Sequence, residues 1–135
     1  MPEIQISPPE PIIGLPPFSC LCSSVGRAAS VALSGELDIR TVPELDWVLS
    51  RAQTAAEMVV VDLRELEFID SSGVQLLLAA HRRALRNGGR MMVIRGSAEI
   101  EWYFALIGLN RQLEFVAAPP VEASAPVLVE APLAI

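Results

Sequence analysis

Glu67-Phe68-Ile69-Asp70-Ser71-Ser72-Gly73-Val74-Gln75 is the stretch on which the fold turns. It follows a continuous apolar run, Met58-Val59-Val60-Val61, and opens a helical pattern that reaches about Asn87. Two serines, an aspartate and a glycine therefore stand where a sheet hands over to a helix. A helix start carries unpaired backbone N–H groups and about half a positive charge, so it suits an oxyanion. In α/β sheets, the crevice at the carboxyl ends of the strands is also the usual place for binding. Ser72 with Gln75 three residues on fits a capping box. The serines can thus be read as caps or as a binding surface.

Working outward, the run from Met58 to Val61 reads as a central strand covered on both faces. Val74, Leu77, Leu78, His81 and Leu85 give the following helix its apolar stripe. Asn87-Gly88-Gly89 stops it, with Arg82, Arg83 and Arg86 at the negative end of its dipole. Met91 to Ile94 is the next buried strand, so strand, helix and strand form a right-handed crossover with parallel strands. A third helix covers Ile100 to Ile107 and ends near Gly108, and Leu113 to Val116 supplies a last short strand. Upstream, Phe18–Ser23 and Ala28–Ser34 read as a hairpin turning near Gly26-Arg27, with Val31 and Leu33 on one face. Gly35-Glu36-Leu37-Asp38 then leads into a helix. Its start has a capping box in Thr41 and Glu44, its first turn tolerates Pro43, and its stripe is Leu45, Val48, Leu49 and Ala52. Trp47 lies off that stripe, at its edge.

Of the 11 prolines, six lie in residues 1–17, four in 119–135, and only Pro43 between them. Residues 1–17 and 117–135 are therefore expected to be extended tails around one domain at 18–116. One domain also suits the length of 135 residues. The net charge is −6, from 16 acids and 10 bases, and every base is arginine. The tails hold four acids and no base, which leaves a nearly neutral core. This balance argues against nucleic-acid binding, which needs a basic patch. No apolar run approaches the ~20 residues of a membrane span, and no secretory signal is visible. Cys20 and Cys22, the only cysteines, are expected on opposite faces of a strand as two reduced thiols in a cytoplasmic protein.

Catalysis finds little support. A nucleophilic serine needs a base within hydrogen-bond reach. The single histidine, His81, lies ten residues along the same helix from Ser71, or ~15 Å away. The hydrolase nucleophile elbow is absent. Asp38, Asp62 and Asp70 lie near element ends, where acids ordinarily cap turns, so no metal site is assigned. There is no phosphate-binding loop of the Gly-x-x-x-x-Gly-Lys type and no lysine at all.

Residues 18 to 116 resemble a STAS domain of the bacterial anti-sigma factor antagonist kind. Three stretches carry the resemblance: Gly35-Glu36-Leu37-Asp38; Val59-Val60-Val61-Asp62-Leu63 with Phe68-Ile69-Asp70-Ser71-Ser72-Gly73-Val74; and Gly108-Leu109 before Phe115. The Asp-Ser-Ser-Gly element is the specific one. The resemblance implies a single α/β domain, a mixed β-sheet with helices packed mainly on one side. It implies a regulator that is no enzyme, needs no cofactor, and binds an anti-sigma factor with a serine kinase fold. The serine after the aspartate, Ser71, would be phosphorylated by that kinase, and a PP2C-type phosphatase would reverse it. Glu36, Asp38, Asp70, Ser71, Ser72, Gly73 and Gln75 would form the partner-binding surface. In it Gly73 is expected to permit close approach, and Ser72, held by Gln75, leaves Ser71 the freer hydroxyl. A STAS-like module can alternatively serve as an unphosphorylated adaptor in a lipid-transporting ABC complex or a larger signalling assembly.

Overall fold

A computed structural model of the protein describes residues 18–117. The two tails read from the sequence lie outside the described residues, save for the exposed residue Ala117. Five strands and three helices alternate after an opening hairpin. They are β1 (Ser19–Val25), β2 (Ala28–Leu37), α1 (Val42–Ala55), β3 (Met58–Ile69), α2 (Ser71–Arg86), β4 (Arg90–Ile94), α3 (Ala98–Ile107) and β5 (Phe115–Val116), with a 3-10 turn at Leu109–Arg111 before the last strand. β1 and β2 are antiparallel across the Gly26 turn, and the other neighbours run parallel. The sheet order is β1-β2-β3-β4-β5. Each crossover steps one strand in the same direction. Crossovers of one hand that step in one direction must place their helices on one face. That face carries the main core, where Val31, Leu33 and Leu37 of β2 and Val59, Val61 and Leu63 of β3 meet Leu45, Leu49, Leu77, Ile100 and Phe104 of the helices. A smaller cluster of Val60, Met92 and Ile94 lies apart from it. Among the described residues, no helix is long and apolar enough to cross a membrane.

β2 buries every second residue, as alternation requires. The third strand extends eight residues past Val61, where the apolar run ends. Its pairing with β2 slips twice, so that Ala32 faces Asp62, Ser34 faces Glu65 and Glu36 faces Phe68. Each slip is a bulge that puts an extra residue into β3. The buried residues then fall at Leu63, Leu66 and Ile69. This spacing of three looks helical in sequence, although the backbone is extended. β4 pairs with β3 only as far as Asp62, so Leu63–Ile69 project beyond it, held by β2 alone.

Three local expectations are corrected. Cys20 and Cys22, two apart, share a face of β1, because side-chain alternation has a period of two; both are free cysteines. Cys20 is buried, and that burial together with the neighbouring Glu44 carboxylate pushes its thiol up to about 12. The Thr41 hydroxyl makes no capping bond; it accepts from Asp38 N at 3.0 Å and donates to Glu36 O at 2.9 Å, fastening the turn before α1. On α2 the buried residues are Gly73, Val74, Leu76, Leu77, Leu78, Ala80 and Ala84, while Leu85 is 58% exposed. Small residues at Gly73, Ala80 and Ala84 let the helix lie close to the sheet, which rotates Leu85 outward.

Candidate functional site

The carboxyl end of β3 runs directly into α2, and Asp70 is the hinge between them. Its backbone is extended, and its N–H donates to Leu37 O at 3.1 Å. Its Oδ1 accepts from the N–H groups of Ser72 at 2.9 Å and Gly73 at 3.1 Å. Asp70 is therefore the cap of α2, and the capping box expected from Ser72 and Gln75 does not form. A carboxylate cap satisfies two of the free donors and sets its charge against the positive helix end. Ser71 and Ser72 become the first two helical residues. Ser71 is exposed and Ser72 half-buried. Neither hydroxyl is used to cap the helix.

Gly73 faces inward. A Cβ placed on it would lie 2.7 Å from Ile69 Cγ1 and 2.8 and 2.9 Å from Leu37 Cγ and Cδ2. The expectation that Gly73 opens a surface to a partner is corrected accordingly: the glycine allows α2 to pack on β2 and β3. Gln75 is exposed, one turn after Ser71 and on the same side of the helix.

The second arm of the site is the turn after β2. Pairing of Glu36 with Phe68 and of Leu37 with Ile69 sets Glu36–Asp38 beside the approach to Asp70. Arg40, which the sequence reading passed over, dominates this turn. Its guanidinium donates to Asp38 through Nε and Nη2, the latter at 2.8 Å, and stands 3.9 Å from Glu36. The Arg40 hydrogen bonds hold the Asp38 carboxyl below the usual aspartate range, against a smaller opposing effect of desolvation. Asp38 and Glu36 are thus largely covered, at 13% and 16% side-chain exposure, and Asp38 is paired within the chain. The exposed cation, rather than the two acids, is what a partner meets there.

A third feature escaped sequence reasoning. Between the projecting end of β3 and the first turns of α3 lies a groove of about 820 Å³, lined by Phe68, Trp102 and Tyr103 among others, and Ser71 sits on its edge. Trp102 is 67% and Phe68 47% exposed. The available signal was an apolar α3 sequence with only Ile100 and Phe104 needed for the core.

His81 is partly exposed on the far part of α2, and its Nδ1 is buried with no partner among the described residues. No group of three or more His, Cys, Asp or Glu among the described residues is placed to hold a metal ion. The arrangement at the start of α2 offers an accessible hydroxyl beside a fixed carboxylate.

Residues 20–117 match the family model described as "Mlab, STAS domain". The chain is similar to the anti-sigma-B factor antagonist of Staphylococcus aureus, 31% identical over 81 residues that cover 59% of this chain and 75% of the relative. Among solved structures it resembles an anti-sigma factor antagonist from Mycobacterium paratuberculosis, with a TM-score of 0.68 at 22% identity over 76% of this chain and 87% of the other; at that identity the likeness concerns the fold. It also resembles the anti-sigma factor antagonist SpoIIAA. The unphosphorylated form aligns with a TM-score of 0.62 at 27% identity, covering 75% of this chain and 89% of that one. The phosphorylated form, from Bacillus, gives 0.57 at 28% identity, covering 75% and 92%.

Proposed function

The chain belongs to the STAS domain family, and on that premise we propose that it acts as an anti-sigma factor antagonist. It binds a kinase-type anti-sigma factor and is released when Ser71 is phosphorylated. The observation that carries this reading is the division of labour at the start of α2: Asp70 caps the helix, and Ser71 is left exposed with a hydroxyl the fold does not require. The similarity to a protein solved in both unphosphorylated and phosphorylated forms supports a switch by phosphorylation. A phosphate on Ser71 adds about −1.5 to −2 charges. It would stand beside the Asp70 carboxylate, whose Oδ1 already takes the Ser72 and Gly73 N–H groups. The added charge is therefore directed outward, at the partner and at the nucleotide phosphates a kinase holds, and recognition changes while the fold persists. A PP2C-type phosphatase completes the cycle.

The test is a pull-down with the full chain, followed by intact-mass measurement of the bound and unbound protein. A kinase-type anti-sigma factor bound to unmodified chain, with phosphate confined to the unbound fraction, is the expected result. Retention of a transporter ATPase by chain that never carries phosphate would replace this reading with that of an adaptor.

A further inference from the structure

The groove beside Ser71 has chemistry of its own. Three of the chain's aromatic residues, Phe68, Trp102 and Tyr103, line it, together with the acids Glu67, Asp70 and Glu99, and no base. Elsewhere the carboxylates are mostly answered: Arg27 pairs with Glu57, Arg40 with Asp38, Arg64 with Asp62, Arg83 with Asp46, Arg90 with Glu114 and Arg95 with Glu101. Glu67 and Glu99 have no cationic partner among the described residues, and Asp70 uses only Oδ1, for the helix cap. Glu99, Trp102 and Leu106 follow one another along one side of α3, and Trp102 and Leu106 are each 67% exposed. An apolar surface held open between unneutralised acids fits an occupant that is apolar on one side and cationic on the other.

We propose that this groove docks a basic amphipathic segment of a protein partner. Its aliphatic or aromatic side chains pack between Phe68, Trp102 and Tyr103, and its arginines or lysines pair with Glu67, Asp70 and Glu99. Fatty acids, anionic lipid surfaces and this chain's own acidic tails, which contain no base, are repelled by the same three carboxylates. Lining an exposed groove with apolar anchors and placing charges at its rim is a recurrent mode of helix and peptide recognition. The inference rests on the antagonist reading only in making the occupant a protein; it does not require Ser71 to be modified.

The test uses the full chain and fluorescence anisotropy with labelled peptides that share one Leu/Phe-rich face and differ in the other, built from arginine, glutamine or glutamate. The arginine peptide should bind at least about tenfold more tightly than the glutamate peptide, and added salt should narrow the gap. Trp102→Ala should abolish most binding of the arginine peptide, and Glu67→Gln with Glu99→Gln should reduce it to the level of the glutamine peptide. These side chains are exposed, and circular dichroism checks that the variants fold. Equal affinity for the three peptides, or no effect of Trp102→Ala, would overturn the proposal. So would Trp102-dependent binding to phosphatidylglycerol vesicles in place of the arginine peptide, or Trp102-dependent self-association in sedimentation that blocks peptide binding. Ser71→Glu separates this inference from the switch: it should maintain or raise peptide affinity, since it adds to the acidic rim, yet it should weaken the kinase partner.

Discussion

Replacing Gly73 by alanine should destabilise the domain, although the same change in an exposed helix would stabilise it. The new Cβ would sit 2.7–2.9 Å from Ile69 Cγ1 and from Leu37 Cγ and Cδ2. Carbon atoms prefer roughly 3.5–4.0 Å. Both neighbours are buried, Leu37 at 0% and Ile69 at 5% exposure, so neither can swing into solvent. Overpacking of this kind costs about 1–3 kcal/mol, and three simultaneous contacts favour the upper part of that range. Alanine regains up to about 1 kcal/mol of helix propensity, less in a first turn. The net loss is then about 1–2 kcal/mol, or about 4–8 °C in Tm for each kcal/mol in a domain of this size. Urea unfolding followed by circular dichroism gives the value. Leu37→Ala, which removes both Leu37 atoms that crowd the new Cβ, should reduce the penalty of Gly73→Ala by at least about 0.5 kcal/mol in a double-mutant cycle. A Gly73→Ala protein with a raised midpoint, or a cycle with no coupling, would refute the packing argument and restore Gly73 as a residue kept for its exposed surface.

Asp70→Ala removes the acceptor of the Ser72 and Gly73 N–H groups, and thermal unfolding should show a loss of about 0.5–2 kcal/mol. Arg40→Ala should return the Asp38 carboxyl toward its ordinary range. Because Arg40 holds that pKa down in the folded chain, its contribution is fully present above the unfolded aspartate value and vanishes as pH falls through the folded one. The stability difference between wild type and Arg40→Ala should therefore shrink as pH is lowered through about 4; a difference that grows on acidification contradicts the pairing. Cys20, with its thiol pushed up to about 12, should resist iodoacetamide at pH values near 8 in the native protein and react once unfolded in urea; rapid native alkylation at Cys20 mapped by mass spectrometry would contradict its burial.

Much of this architecture is legible in sequence because its signals are local. The alternation of Val31 and Leu33, the stripe Leu45-Val48-Leu49-Ala52 and the Asn87-Gly88 stop each depend on neighbours within a turn or two. What was missed depends on partners far along the chain. β3 past Asp62 hides because its bulges against β2 turn alternation into Leu63-Leu66-Ile69, and a bulge is a property of two strands. The cap was misplaced by two residues because aspartate and serine are both good caps, and only the backbone of Asp70, extended and tied to Leu37 O, decides between them. Arg40 escaped notice since its role arises from the turn that folds it back on Asp38. The groove needs β3 to outrun β4 and α3 to expose Trp102, neither of which a single segment records. The Asp-Ser-Ser-Gly element is contiguous, so its place at the junction of β3 and α2 is legible from the sequence alone.

The most direct test of the proposed switch is phosphopeptide mapping after incubation of the chain with its kinase-type anti-sigma factor and ATP, paired with affinities for Ser71→Ala and Ser71→Glu. The phosphate should map to Ser71; Ser71→Ala should bind like the unmodified chain and Ser71→Glu more weakly, with both variants folded because Asp70 retains the cap. Phosphate on Ser72, or equal affinity for the two Ser71 variants, would contradict it.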